Sequence, residues 1–171
     1  MIKKRIVCSV AAAIALIVNS SIGNDVRVSE KGLAIIGNTE GCRLNPYVCP
    51  AGLITNGIGN TQFNPSATVT IEQVARDWAK NIEIAETCLL NTAPSELSQG
   101  QHDAFTSFIF NSGCHRFRYN RNKTETTIYK LIAAGRYSQA CEQLPRWVYG
   151  GGKKLKGLVI RRAKERDLCL S

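Results

Sequence analysis

The chain has no Cys-x-x-Cys pair and only two histidines, His102 and His115, which leaves little from which to build a zinc site. It also lacks internal repeats, low-complexity tracts and long linkers, so everything after about residue 25 reads as one domain. No recognised nucleic-acid motif is present. Acidic residues are scarce towards the C-terminus: residues 115–171 hold fourteen Lys/Arg against four Asp/Glu, whereas residues 1–114 hold eight against nine. A net charge of +9 suits nucleic acid, anionic lipid or an acidic polymer such as a cell wall, and charge alone does not choose among them. The run Arg161-Arg162-Ala163-Lys164-Glu165-Arg166 reads as a solvated helix face. With 171 residues and 44% apolar side chains, disorder is excluded, and the chain is long enough for one well-buried core or for two lobes sharing it.

Cysteine, by contrast, is plentiful. Seven occur, at positions 8, 42, 49, 88, 114, 141 and 169, a frequency that points to an oxidising compartment. The odd count leaves at least one thiol free in a fully oxidised monomer. Lys3, Lys4 and Arg5 precede an apolar run from Ile6 to Val18, the composition of an export signal. Its thirteen positions are short for a membrane span and fit a cleaved signal peptide, with Ser21-Ile22-Gly23 a tolerable cleavage site. Extended through Gly23, the run has eighteen residues and about 27 Å of helix, enough for a weak anchor. Either way, the body of the protein is expected in the periplasm or outside.

Along the chain, Ser29 caps a short helix whose Leu33 and Ile36 lead up to Thr39-Glu40. From Cys42 to Asn60, Pro46, Pro50, Gly52, Gly57 and Gly59 break any helix, and Leu53-Ile54-Thr55 pairs as a strand in a small β region. Thr70-Ile71-Glu72-Gln73 is a capping box ahead of a long helix with Val74, Ala75, Trp78, Ile82, Ala85 and Leu89 at helical spacing. Ser98-Gln99-Gly100-Gln101 opens a helix through Ala104, Phe105, Phe108 and Ile109, whose aromatics read as core. Further helices are expected over Thr126–Ala134, Ser138–Leu144 and Leu155–Leu168. The fold class is therefore α+β: mainly helical, with a small antiparallel β region near the N-terminal lobe.

Glu40, at the end of an apolar helix and beside a β segment, is a plausible general acid, because partial desolvation favours the protonated carboxyl. In isolation it reads as a surface acid. Its surroundings raise it above that: eight residues separate Glu40 from Cys49 and five separate Cys49 from Thr55, which Asn56-Gly57-Ile58-Gly59 follows. This constellation resembles the active-site signature of phage-type lysozymes, glycoside hydrolase family 24, in which a Glu, an Asp and a Thr stand at this spacing. The resemblance continues through Leu97-Ser98, Gln101, Asp103-Ala104-Phe105, Ser107-Phe108, Phe110-Asn111 and Gly113. It reaches Arg146-Trp147, Gly151-Gly152, Leu155, Gly157-Leu158 and Arg161-Arg162 with Glu165. It implies a two-lobed lysozyme-like fold with a cleft, and cleavage of the β-1,4 link between N-acetylmuramic acid and N-acetylglucosamine in peptidoglycan. By the same resemblance Glu40 protonates the leaving oxygen, the residue at 49 assists the attacking water or the developing oxocarbenium, and Thr55 holds that water. The sequence departs from the family pattern at position 49, which is Cys where the family has Asp. A thiol with its ordinary pKa near 8.5 is mostly neutral at pH 7, so Cys49 needs help towards thiolate to stand in for a carboxylate.

Cys42 and Cys49 flank the turn-prone Asn45-Pro46, and a disulfide between them is feasible. As a staple on so short a loop it is worth about 2 to 3 kcal/mol. It would also consume the sulfur at the catalytic position. Together with Cys8 inside the apolar N-terminal run, this resembles the signal-anchor-release endolysins, in which an uncleaved N-terminal segment tethers an inactive enzyme to the inner membrane. The three early cations supply the restraint, since moving them outward against about 100 mV costs roughly 7 kcal/mol. By that resemblance, Cys8 exchanges into a bond with Cys42 after release and frees Cys49. Cys88, Cys114, Cys141 and Cys169 allow three pairings, among which the sequence does not choose.

These expectations divide the chain into an export segment, 1–24, and a catalytic domain, 25–171, with its β-containing lobe at about 40–68 and its helical lobe at about 90–171. The partners expected are peptidoglycan glycan strands and the bacterial inner membrane, with no nucleic acid, metal or cofactor, and the chain acting as a monomer. A lytic transglycosylase and a non-catalytic cationic wall-binding protein are the rival readings.

Overall fold

The computed structural model describes residues 8–48, 52–62 and 68–171. Eight α-helices and two small antiparallel two-stranded sheets make up the regular structure of these residues, in the α+β class expected. Two compact units emerge, one from Met1–Val26 and Glu40–Asn81, the other from Arg27–Thr39 and Ile82–Ser171.

In the first unit, helix α1, Val10–Asn19, starts at Ser9, whose hydroxyl accepts from the Ala12 N–H, and it buries Ala13, Ile14 and Ile17. At ten residues it spans about 15 Å. Among the described residues no helix is long and apolar enough to cross a membrane. Glu40 closes α2, Glu30–Glu40, and Gly41 takes φ +73°, a left-handed conformation that ends the helix without strain on a side chain. The chain then enters β1, Arg43–Val48, which pairs antiparallel with β2, Ile54–Gly57. Tyr47 stands opposite Thr55, Val48 opposite Ile54 and Arg43 opposite Gly57, with an irregularity in between. The first ten residues or so of α3, Ile71–Leu90, belong to this unit and bury Val74, Ala75, Trp78 and Ala79. Its expected cap is present: the Gln73 N–H donates to the Thr70 hydroxyl at 3.2 Å.

The second unit is built around α4, Gln99–Ser112, in which every residue from His102 to Ile109 is buried. A helix buried on all sides cannot be amphipathic, and Ala104, Phe105, Phe108 and Ile109 accordingly share it with His102, Asp103, Thr106 and Ser107. The Ser98–Gln101 capping box opens it as expected. Around it lie α5, Cys114–Arg118; α6, Thr127–Ala133; α7, Tyr137–Cys141; and α8, Lys156–Cys169. Phe108 meets Phe117 and Trp147 edge-on, at 6.2 and 4.9 Å between ring centroids. The helix expected over Ser138–Leu144 is shorter: α7 ends at Cys141, and a 3-10 turn, Leu144–Arg146, carries Pro145, where a continued α-helix would need the missing N–H. A hairpin of β3, Tyr149–Gly150, and β4, Lys153–Lys154, had no sequence counterpart because each strand is only two residues long.

The solvated face expected of the Arg161–Arg166 run is corrected by the structure. Arg161, Arg162 and Glu165 are 1%, 2% and 0% exposed. Glu165 accepts from Arg161 at 3.0 Å, from Arg162 at 2.7 Å and from the Ser107 hydroxyl at 2.6 Å. Arg162 also lies 4.8 Å over the Phe108 ring. Residues three and four apart share a helix face, so this charge run pairs with itself and can be buried.

Side chains from α3 and α4 pin the segment Arg27–Ser29. Glu86, buried, accepts from the backbone N–H groups of Arg27 and Val28 at 2.9 and 2.8 Å. Asp103 accepts from the Ser29 N–H at 2.9 Å and from the Ser29 hydroxyl. Burial pushes the Glu86 carboxyl above its usual range and pushes neighbouring His102 below the usual imidazole value.

Candidate active site

Of the residues singled out from the sequence, Glu40 and Thr55 fall in the first unit. Glu40 is half-buried at the last position of α2. Gly59 neighbours its carboxyl group: a Cβ built on Gly59 would come into ordinary contact with it, 3.4 Å from Oε2 and 3.6 Å from Cδ. Gly59 has φ +69°, a backbone angle that calls for glycine. Thr55 sits in β2 opposite Tyr47, only 2% exposed, and its hydroxyl donates to the Leu53 carbonyl at 3.1 Å. Cys49 lies outside the described residues.

The Cys42 sulfur, at the start of this region, is bonded to Cys8, with the Cα atoms 5.3 Å apart. That bond joins the chain just before α1 to the chain just before β1. The four other cysteines take one of their three possible pairings, Cys88–Cys114 and Cys141–Cys169, with Cα separations of 6.0 and 5.7 Å.

Sequence reading did not single out the polar cluster beneath β2. The loop Asn56–Asn60 is closed by two backbone bonds, Asn56 N–H to the Asn60 carbonyl at 2.9 Å and the reverse at 3.0 Å. The Asn60 side-chain amide donates to Asn56 Oδ1 at 3.2 Å and to Asp77 Oδ2 at 3.3 Å. Its oxygen accepts from the Gln62 N–H at 3.1 Å and from Asn81 at 3.4 Å. Gln73 donates to the other Asp77 oxygen at 2.7 Å. Gln73, Asp77 and Asn81 recur every four residues along α3, a polar stripe that was legible in the sequence but has no meaning until something polar is packed on it. Among the described residues, no group of three or more His, Cys, Asp or Glu is arranged to hold a metal ion.

The profile of the family described as phage lysozyme matches residues 37–165. The SAR-endolysin of Escherichia phage P1 is 42% identical over 172 residues, covering 96% of this chain and 91% of that protein. The crystal structure of the active form of the P1 phage endolysin superimposes with a TM-score of 0.86 at 41% identity, covering 96% of this chain and 94% of that one. The secreted inactive form of the same endolysin superimposes with a TM-score of 0.61 at 43% identity, over 84% of this chain and 95% of that one.

Proposed function

The chain belongs to the phage lysozyme family, a family of glycoside hydrolases, and on that basis we propose that it is an endolysin that hydrolyses the muramic acid–glucosamine β-1,4 bond of peptidoglycan and lyses the host cell. Glu40 is the general acid in this reading: its protonated carboxyl gives a proton to the glycosidic oxygen as the bond to the muramic carbon breaks. Thr55 holds the attacking water, and Cys49 takes the place of the second reactive group. The observation that carries the proposal is the placement of Glu40 at the end of α2 with Gly59 beside its carboxyl, within the stretch matched by the family profile.

The same reading gives the chain a tethered, inactive stage. Residues 1–24 are the export segment and residues 25–171 the catalytic domain, held first at the inner membrane facing the periplasm and then released into it. In the exchange step the Cys8 thiolate attacks the Cys42 sulfur of a Cys42–Cys49 bond; the Cys8–Cys42 bond forms and Cys49 departs as thiolate. The Cys8–Cys42 bond and the higher TM-score with the active form of the P1 endolysin support assigning this structure to the released stage.

Glu40→Gln keeps the side-chain shape and removes the proton. Turbidity clearing of outer-membrane-permeabilised Gram-negative cells is expected to fall by at least about a hundredfold in this variant. Mass spectrometry of muropeptides released by the parent protein is expected to find reducing ends. Wild-type clearing by Glu40→Gln, or 1,6-anhydro ends from the parent, would sink the hydrolase reading; the anhydro product is that of a lytic transglycosylase.

A further inference from the structure

The polar cluster under β2 is costly for a protein to bury and does nothing for the hydrophobic core. Asn60 is 2% exposed, and burial of such an amide is unfavourable unless its hydrogen bonds are made. Asn60 makes four side-chain bonds, two from its amide and two to its oxygen, so its orientation is fully determined. Asp77 and Asn81 both tie the loop to α3 through the Asn60 side chain, and Gln73 occupies the second Asp77 oxygen, which fixes the carboxylate in turn. Gly57, at φ +56°, lies beside Val74 of α3, where an added Cβ would come into ordinary contact at 3.4 Å. This short loop carries Gly59, which neighbours the Glu40 carboxyl, and it follows directly on Thr55.

We infer that Asn60 and Asp77 are positioning residues for the acid, holding the Asn56–Asn60 loop so that Gly59 keeps its place beside Glu40. This rests on the reading of Glu40 as the proton donor. The alignment of a reacting group is worth large factors in rate when it is displaced by an ångström, whereas the affinity for a long glycan is spread over many contacts. Loss of the network therefore appears in kcat and leaves KM nearly unchanged.

The test exchanges the two partners. Asn60→Asp puts a second carboxylate against Asp77, 3.3 Å away in the parent, and breaks that bond, leaving the longer contact from Asn81. The double variant Asn60→Asp/Asp77→Asn swaps carboxylate and amide and restores one donor to one acceptor. Kinetics on soluble peptidoglycan fragments are run beside Glu40→Gln and a core variant of matched melting temperature. The single variant is expected to lose about tenfold in kcat with KM within about twofold, and the swapped pair to recover to within about threefold of the parent. Should Asn60→Asp fail to fold, Asp77→Asn serves as the single variant, with a smaller expected loss of about threefold in kcat that the swap again reverses. The inference is overturned if kcat stays within twofold in the single variant, if the matched core variant loses as much, or if the swap restores melting without restoring kcat. A fully active Glu40→Gln removes the acid reading and this inference with it. An inactive Glu40→Gln beside an unaffected single variant removes this inference alone.

Discussion

At the scale of single residues, Glu165 shows how far local chemistry departs from composition. A helix carrying four cations in six positions was expected to face water, yet Arg161 and Arg162 are buried because Glu165 lies within one turn of both. Removing one side of a buried ion network leaves the other side desolvated and unpaired, so Glu165→Ala is expected to cost about 3 to 5 kcal/mol in chemical unfolding. A loss below about 1 kcal/mol would mean that the two guanidinium groups find other partners without rearrangement. Glu40 and Thr55 were singled out because, with position 49 and the Asn56-Gly57-Ile58-Gly59 run, their spacing resembles the signature of phage-type lysozymes. Asn60 and Asp77 were not, because an amide becomes informative only once its four partners are known.

At the scale of elements, α1 carries the sharpest duality. Its residues have the composition of an export segment, and they also form a ten-residue helix with a buried face, stapled to the start of β1 through Cys8–Cys42. Both descriptions follow from one property: an apolar stretch too short to be committed to lipid has a comparable gain from packing on protein. The proposed exchange makes Cys8 the element's chemical switch. Cys8→Ser protein, exported with its segment intact, is expected to lyse cells poorly and to recover on addition of dithiothreitol. Full lysis without reductant would show that no sulfur exchange is needed. Helices α3 and α4 were anticipated with their caps because Thr70 and Ser98 stand immediately before strongly periodic runs. The short helix α5 and the β3–β4 hairpin were not, since five and two residues carry too little periodicity to be told from loop.

For the whole molecule, stability against pH is set by the buried pair Glu86 and His102, which pull in opposite directions. The Glu86 pKa is raised in the fold, so the native state holds its proton more tightly; its contribution is complete below pH 4.5 and is lost as pH rises through the raised value. The His102 pKa is lowered from 6.5, so its contribution is present above that value and is lost as pH falls through the depressed one. Thermal unfolding from pH 4 to 8 is expected to flatten on the acid side when His102 is replaced by Asn. Glu86→Gln, which keeps an acceptor for Arg27 and Val28, is expected to remove the decline on the other side. Unchanged profiles in both variants would refute this assignment. By itself the sequence determined the α+β class and the main helices with their caps, because periodicity and capping are local properties read from neighbours in the chain, and its resemblance to phage-type lysozymes pointed to the residue at 40 as the candidate acid. Only the tertiary structure decided that the Arg161–Arg162–Glu165 cluster is core, which of the described cysteines pair, and that Asn60 bonds to Asp77. Those outcomes depend on groups far apart in sequence meeting at hydrogen-bond distance, and no local pattern encodes that.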